Sequence, residues 1–491
     1  MTLRRVCAGI GLGVSAWCAL GLAARATTNA RTTADEPQYL MTAQSLAADL
    51  DLDVANQRAA GAYRAYHEAG LPLQEEIHAD GSRVSPHDPL LPALLAAPMA
   101  LGGWPLAKLA LAGVAGCLAA LVVFVAEARL GARRRVVVPV VLAAFSAAPL
   151  AVYATQVYPE IAAALALTAA IAIVTAPKAG RATLVAVAFA AVVCALPWLS
   201  AKYLPVAAGL VFVGWSRLRR GPLLGALVFG AATFAVAHLR WYGGLTPYAT
   251  GRHFGDGQLE VVGDPDLVGR SVRLAGLLVD RDFGLAVWQP LLIVAVPAAA
   301  ALVASRSQLR AVVLIPAALG WLNATFVALT MHGWWFPGRQ VIVVLPCLVL
   351  AIVWWLDRID ASPSWLWAAT ALGASLYLWL VVQVLTTSTR LVTTFADLSH
   401  PWWRVVRRVL PDGRADRPLD TGLLAAWALG LGGAAIAAAR AERRRRVGAP
   451  DASTDDADPR SDTAPHRFPD RLSLPEPSPH PVSPRLQGMS R

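Results

Sequence analysis

Ala34-Asp35-Glu36-Pro37-Gln38-Tyr39 sets two adjacent carboxylates at the start of a polar stretch, shortly after the apolar run Val6 to Ala24. In a water-soluble chain such a pair would be ordinary surface. The composition rules that out: 56% of the residues are hydrophobic and 15% are charged, with a mean hydropathy of +0.51. Soluble domains carry about a quarter of charged residues. The chain therefore reads as an all-α polytopic membrane protein. A charge at the centre of a spanning helix costs roughly 2.5–3.5 kcal/mol, so an acidic pair beside the bilayer marks a candidate functional site.

Outward from the pair, Val6 to Ala24 is long enough to span, and Arg4 and Arg5 before it place the N-terminus inside. A cleaved signal ending at Ala24-Arg25-Ala26 is the alternative, and it too leaves the next loop outside. That loop, about 25–88, is the largest polar segment between spans; it holds a predicted helix Tyr39 to Ala48 and then Asp49-Leu50-Asp51-Leu52-Asp53. Ser85-Pro86-His87-Asp88-Pro89 leads into Leu90 to Gly103, a run that is short, Pro-punctuated and suited to a re-entrant or interfacial segment.

Basic clusters order the remainder. Arg129 with Arg133 to Arg135, Lys178 with Arg181, Arg217 to Arg220, Arg306 with Arg310, and Arg358 each fall between apolar runs and mark inside turns. The count is about twelve spans with both termini cytoplasmic in a bacterial-type plasma membrane. The transmembrane domain covers 1–446, with further outer loops at about 240–285 and 386–420. Arg443 to Arg446 rest on anionic inner-leaflet lipids, and the polar 447–491 tail is expected to be disordered. This clustering accounts for the net charge of +11 by membrane topology, without nucleic acid. The five cysteines sit in apolar runs with no CxxC spacing, so neither a disulfide framework nor a zinc site is implied.

The candidate chemistry gathers at outer span ends. Asp35 and Glu36 can take a proton from an acceptor hydroxyl and orient the group that does so or hold a metal. Asp35 could equally cap the helix that starts near Pro37. Glu160, after Val157-Tyr158-Pro159, adds a third acid, or simply complements the dipole of its helix. Lys202 beside Tyr203, and Arg339 after Trp334-Trp335, could meet an anionic phosphate, although Trp, Tyr, Lys and Arg also form the ordinary interfacial belt. His87-Asp88 and His332 are weak candidates for a metal. No P-loop, GxSxG or HExxH is present.

The order of these pieces resembles the GT-C glycosyltransferases, and within them the protein O-mannosyltransferase and aminoarabinose transferase group. The resemblance rests on Asp35-Glu36 followed by Tyr39, His87-Asp88-Pro89 before an apolar helix, and Tyr158-Pro159-Glu160. Leu196-Pro197-Trp198 with Lys202-Tyr203, and Gly338-Arg339 followed by Leu345-Pro346, extend it to roughly Met1 to Asp357. It implies a GT-C-like domain that takes a sugar from a polyprenyl-phosphate carrier and passes it, with inversion, to an extracytoplasmic acceptor. Asp35 would be the acceptor base, Glu36 and Glu160 its support or ligands to a divalent ion with His87 as a further candidate, and Lys202, Tyr203 and Arg339 the donor-phosphate site. Tyr-Pro-Glu stands here where relatives often have Asp, which leaves the role of Glu160 and the metal open. A secondary transporter and a non-catalytic envelope scaffold are the rival readings; Lys108, inside the second span, is the residue that most favours transport.

Overall fold

The structure is a computed structural model and describes residues 1–28, 30–72, 74–177, 182–247, 266–328, 330–392, 397–414 and 417–447. The expected turn at Lys178 and Arg181, the part of the second loop that carries Arg252, and the tail from 448 onward lie outside these residues.

The chain folds as an all-α polytopic membrane protein whose only regular strands among the described residues are Glu76–Ile77 and Arg83–Val84, paired antiparallel. In order, the helices are α1 (Leu3–Ala19), α2 (Glu36–Ala48), α3 (Ala55–Ala59), α4 (Leu90–Ala128), α5 (Arg134–Phe145) and α6 (Leu150–Tyr153). The next are α7 (Glu160–Val174), α8 (Thr183–Leu199), α9 (Leu204–Trp215), α10 (Arg220–Tyr242), α11 (Leu267–Ser271) and α12 (Arg273–Val279). The last six are α13 (Ala295–Ala304), α14 (Arg310–Leu322), α15 (Leu345–Arg358), α16 (Pro363–Thr386), α17 (Pro401–Val409) and α18 (Pro418–Val447).

Among the described residues, 6 helices are long and apolar enough to cross a membrane, and shorter apolar helices cover Glu160–Val174, Thr183–Leu199, Ala201–Trp215 and Pro290–Ala304. The sequence count of about twelve also included Val6 to Ala24 and Val136 to Tyr153. The first forms a helix of 17 residues that gives way to turns after Ala19. The second is interrupted between Phe145 and Leu150, where Pro149 has no N–H to continue the ladder. Leu90 to Gly103 and the following span are joined in α4, which breaks from helical geometry at Gly102 and Gly103.

Small residues let the spanning helices approach. At the α1–α4 crossing, a Cβ on Gly116 would lie 2.3 Å from the Gly11 carbonyl oxygen, so that contact admits only glycine. The core is formed by α4, α7 and α15, each apolar and largely buried; α10 is the opposite case, with buried side chains only at Leu223, His238 and Tyr242. What matters for the site is that five element ends converge: the starts of α2, α4 and α7, the 3-10 turn Ala201–Tyr203 between α8 and α9, and the 3-10 turn Arg339–Val344 that runs into α15.

Candidate active site

Asp35 stands at the N-cap of α2, where its backbone carbonyl accepts from Gln38 and Tyr39. Its side chain makes no capping bond. The capping alternative is thereby corrected, because an arginine takes the carboxylate instead. Arg339 Nη2 donates to Asp35 Oδ2 at 2.6 Å, and Arg339 Nε donates to Glu160 Oε1 at 2.9 Å. Lys202 Nζ donates to the same Glu160 oxygen at 2.7 Å. Asp35, Arg339, Glu160 and Lys202 thus form one continuous chain of alternating charge, drawn from segments up to 304 residues apart.

The guanidinium is held in place on every side. Gly338 before it adopts φ +83°, a left-handed conformation that suits glycine, and a Cβ there would meet Leu285 and Pro149 at 3.0 Å. The Arg339 guanidinium carbon lies 4.0 Å from the Tyr158 ring centroid and 5.2 Å from that of Trp335. Such contacts add to a buried cation roughly 2 kcal/mol or more when water is excluded. Tyr158 in turn donates its hydroxyl to the Thr33 carbonyl at 3.1 Å, and Thr33 donates its own to the Trp334 carbonyl at 2.9 Å.

Glu36, adjacent to Asp35 in sequence, faces a different set of partners. One carboxylate oxygen accepts from the Thr33 N–H at 3.1 Å and the other from the Val157 N–H at 2.8 Å. Lys108 Nζ lies 3.9 Å from it and also donates to the Arg31 carbonyl at 3.1 Å. Glu36 therefore ties the first loop to the segment before α7, and Lys108, about one turn past the α4 break, supplies its counter-charge. Burial raises the Glu36 carboxyl above its usual range despite Lys108 and the two N–H groups. Burial would also raise Asp35, but Arg339, with help from His87 and Lys202, outweighs it and holds that carboxyl at about 2.

His87 Nε2 is 4.0 Å from Asp35 Oδ1, and its ring stacks on Tyr39 with centroids 4.6 Å apart. Tyr203 is buried, with Lys202 Nζ 5.2 Å from its ring centroid; its hydroxyl and Glu160 Oε2 have no hydrogen-bond partner among the described residues. His332 makes its contacts elsewhere, 4.0 Å from Asp280 and against Phe283. As metal ligands, Glu36, Glu160 and His87 do not form a set. Glu36 uses both oxygens on N–H groups, Glu160 Oε1 serves two cations, and no cluster of three or more His, Cys, Asp or Glu able to hold a metal occurs among the described residues.

Two residues near this centre have partners that no sequence pattern indicates. Lys108 was read as a mid-membrane cation, since its partner Glu36 lies 72 positions away and no local pattern joins them. His238, in the apolar helix α10, is fully buried against Asp88; the available signal was an ionisable residue within an apolar run. A cavity of about 520 Å³ is lined by Asp51, Asp53, Pro89, Trp198, Arg240 and Trp241, and none of the candidate site residues lines it.

No family model matches the chain, and no curated protein matches it. Among solved structures, the crystal structure of ArnT from Cupriavidus metallidurans bound to undecaprenyl phosphate is similar to it, with 14% sequence identity and a TM-score of 0.43, over 90% of this chain and 78% of that one.

Proposed function

We propose that this chain is a membrane glycosyltransferase that moves a sugar from a polyprenyl-phosphate carrier to an acceptor hydroxyl on the extracytoplasmic side, with inversion at the anomeric carbon. The observation that carries the reading is the charge chain Asp35–Arg339–Glu160–Lys202. Such a transfer needs a base for the acceptor and cations for the departing phosphate, and both are present within one contact of each other. The acceptor oxygen bonds to the anomeric carbon, the carrier phosphate leaves with the electron pair of the broken C–O bond, and the acceptor proton passes to Asp35.

The resting contacts give this scheme a coupling. At about 2, the Asp35 carboxyl is a poor base because Arg339 faces it. A carrier phosphate that draws Arg339 and Lys202 to itself removes that charge, so the basicity of Asp35 rises when the donor is in place. Arg339 and Lys202 then stabilise charge on the leaving phosphate, where preorganised cations contribute most. Glu36 keeps the Asp35 segment fixed to the start of α7 while this exchange occurs. In this reading the acceptor arrives from the water side, and the carrier enters sideways between helices, its phosphate staying at the interface. Both termini lie on the cytoplasmic side in this arrangement.

The test is a screen of polyprenyl-phosphate sugars with protein in nanodiscs, wild type against Asp35→Asn. The wild type is expected to turn over at least one carrier. Asp35→Asn should retain folding and carrier binding but lose transfer by about 10²–10⁴-fold, the usual share of a general base. Full activity in Asp35→Asn would remove it as the base. If no carrier binds or reacts, the proposal fails, and uptake into vesicles would then test the transporter alternative.

A further inference from the structure

Helix α10 has little buried surface, yet its C-terminal end grips the centre through two side chains. His238 is 0% exposed; its Nδ1 lies 2.9 Å from the Phe234 carbonyl oxygen and its Nε2 lies 3.0 Å from Asp88 Oδ1. A carbonyl only accepts, so Nδ1 donates to Phe234. Nε2 and Asp88 then share the remaining proton, and the pair carries no net charge wherever that proton rests. This explains how a carboxylate 2% exposed and a histidine can sit together in a low-dielectric core. Phe234 stacks on the imidazole at 3.7 Å between centroids, and Trp198 closes its edge at 5.3 Å.

The second oxygen of Asp88 faces the other way. Oδ2 accepts from the Ala201 N–H at 3.0 Å, and Ala201 opens the short 3-10 turn whose next residue is Lys202. One turn along α10, Tyr242 donates its hydroxyl to the His87 carbonyl at 3.0 Å. The two residues held by α10 are therefore His87, beside Asp35, and Asp88, which supports the turn bearing Lys202. Neither His238 nor Tyr242 contacts the Asp35–Arg339–Glu160–Lys202 chain directly by any described hydrogen bond or ion pair.

We propose that His238 is a positioning residue: through Asp88 it fixes the Ala201–Tyr203 turn and so seats the Lys202 ammonium on Glu160, while Tyr242 secures His87 beside Asp35. The meaning of that seat, a site for the donor phosphate, rests on the transferase reading; the positioning itself does not. A displacement of about 1 Å at such a group costs about 10²-fold in rate.

The chain contains only three lysines, Lys108, Lys178 and Lys202, which makes amine labelling a clean readout. Lys108 is 3% exposed, whereas the Lys202 side chain is 29% exposed and held by Glu160. Nanodisc-embedded protein would be treated with a water-soluble amine-acylating reagent and the Lys202 peptide followed by mass spectrometry. His238→Phe keeps the ring but cannot donate to Asp88, and is expected to raise the Lys202 labelling rate about fivefold or more and the carrier KM about tenfold. His238→Gln retains a donor and should restore both to near wild type. Ala201→Pro tests the same link without touching α10. It removes only the N–H given to Asp88, and Ser200 at φ −167°, ψ 133° accepts a following proline. It should match His238→Phe, and combining the two should add nothing.

Unchanged Lys202 labelling in both His238→Phe and Ala201→Pro would overturn the proposal, as would a failure of His238→Gln to rescue. The labelling needs no substrate. A carrier screen without turnover would therefore overturn the transferase reading alone, leaving the labelling to decide the positioning.

Discussion

Replacing Arg339 by Met keeps its apolar bulk and removes the cation that bridges Asp35 and Glu160. The two carboxylates do not suffer equally. Glu160 retains Lys202 at 2.7 Å, whereas Asp35 is left with His87 at 4.0 Å and the more distant charge of Lys202. Asp35 is held at about 2 against an ordinary 3.8, which at roughly 1.4 kcal/mol per pH unit corresponds to about 2 kcal/mol of stability. Burial pulls that carboxyl the other way, so the share owed to Arg339 is larger and falls within the ~3–5 kcal/mol typical of breaking a buried pair. Arg339→Met should therefore unfold at a clearly lower temperature. Adding Asp35→Asn should recover about 2 kcal/mol, because the stranded charge is gone. Thermal unfolding in detergent can be followed by the loss of helical circular dichroism; a thiol-reactive dye is unsuitable because Cys117 is exposed and free in the folded protein. If Arg339→Met melts with the wild type, or the second substitution recovers nothing, the charge chain does not hold this region together.

Gly338→Ala should cost about 1–2 kcal/mol for the left-handed backbone, and carrier affinity should fall with it because Arg339 is the next residue; unaltered binding by titration calorimetry would show that the φ of +83° is incidental. The depressed Asp35 carboxyl also gives a signed pH dependence. Its contribution is complete above the unfolded value near 4 and is lost as pH falls through about 2. The melting-temperature gap between wild type and Asp35→Asn should hence be constant from pH 7 to about 5 and close toward pH 2. A gap that widens on acidification would reverse the assigned sign.

Much of the architecture was legible because lipid imposes a crude code: apolar runs of a given length with arginines between them. α8, α9, α15 and α16 begin and end within a few residues of the runs that predict them. Val136 to Tyr153 reads as one apolar run, and composition does not register the break that divides it into α5 and α6 before Pro149. The candidate residues were nameable for a similar reason, as charges at span ends are expensive enough to stand out. Their pairing was not nameable. Nothing local says that Arg339 joins Asp35 to Glu160, that Lys108 answers Glu36, or that Asp35 leaves the cap of α2 to its backbone. Each depends on the packing of distant helices, which a single sequence does not encode at any fixed spacing.

The separation of 304 residues between Asp35 and Arg339 also has a meaning for how the protein is made. At about 5–20 residues per second, the ribosome delivers Arg339 roughly 15–60 s after Asp35. For that interval Asp35 in the first loop and Glu160 on α7 lack the arginine that joins them. Glu36 meets Lys108 and the Val157 N–H well before then, but Asp35 cannot make its arginine contact until Arg339 has been delivered. The charge chain is thus completed late, and a chain arrested before Arg339 would present Asp35 without its arginine, a ready mark by which quality control could tell the unfinished protein from the finished one.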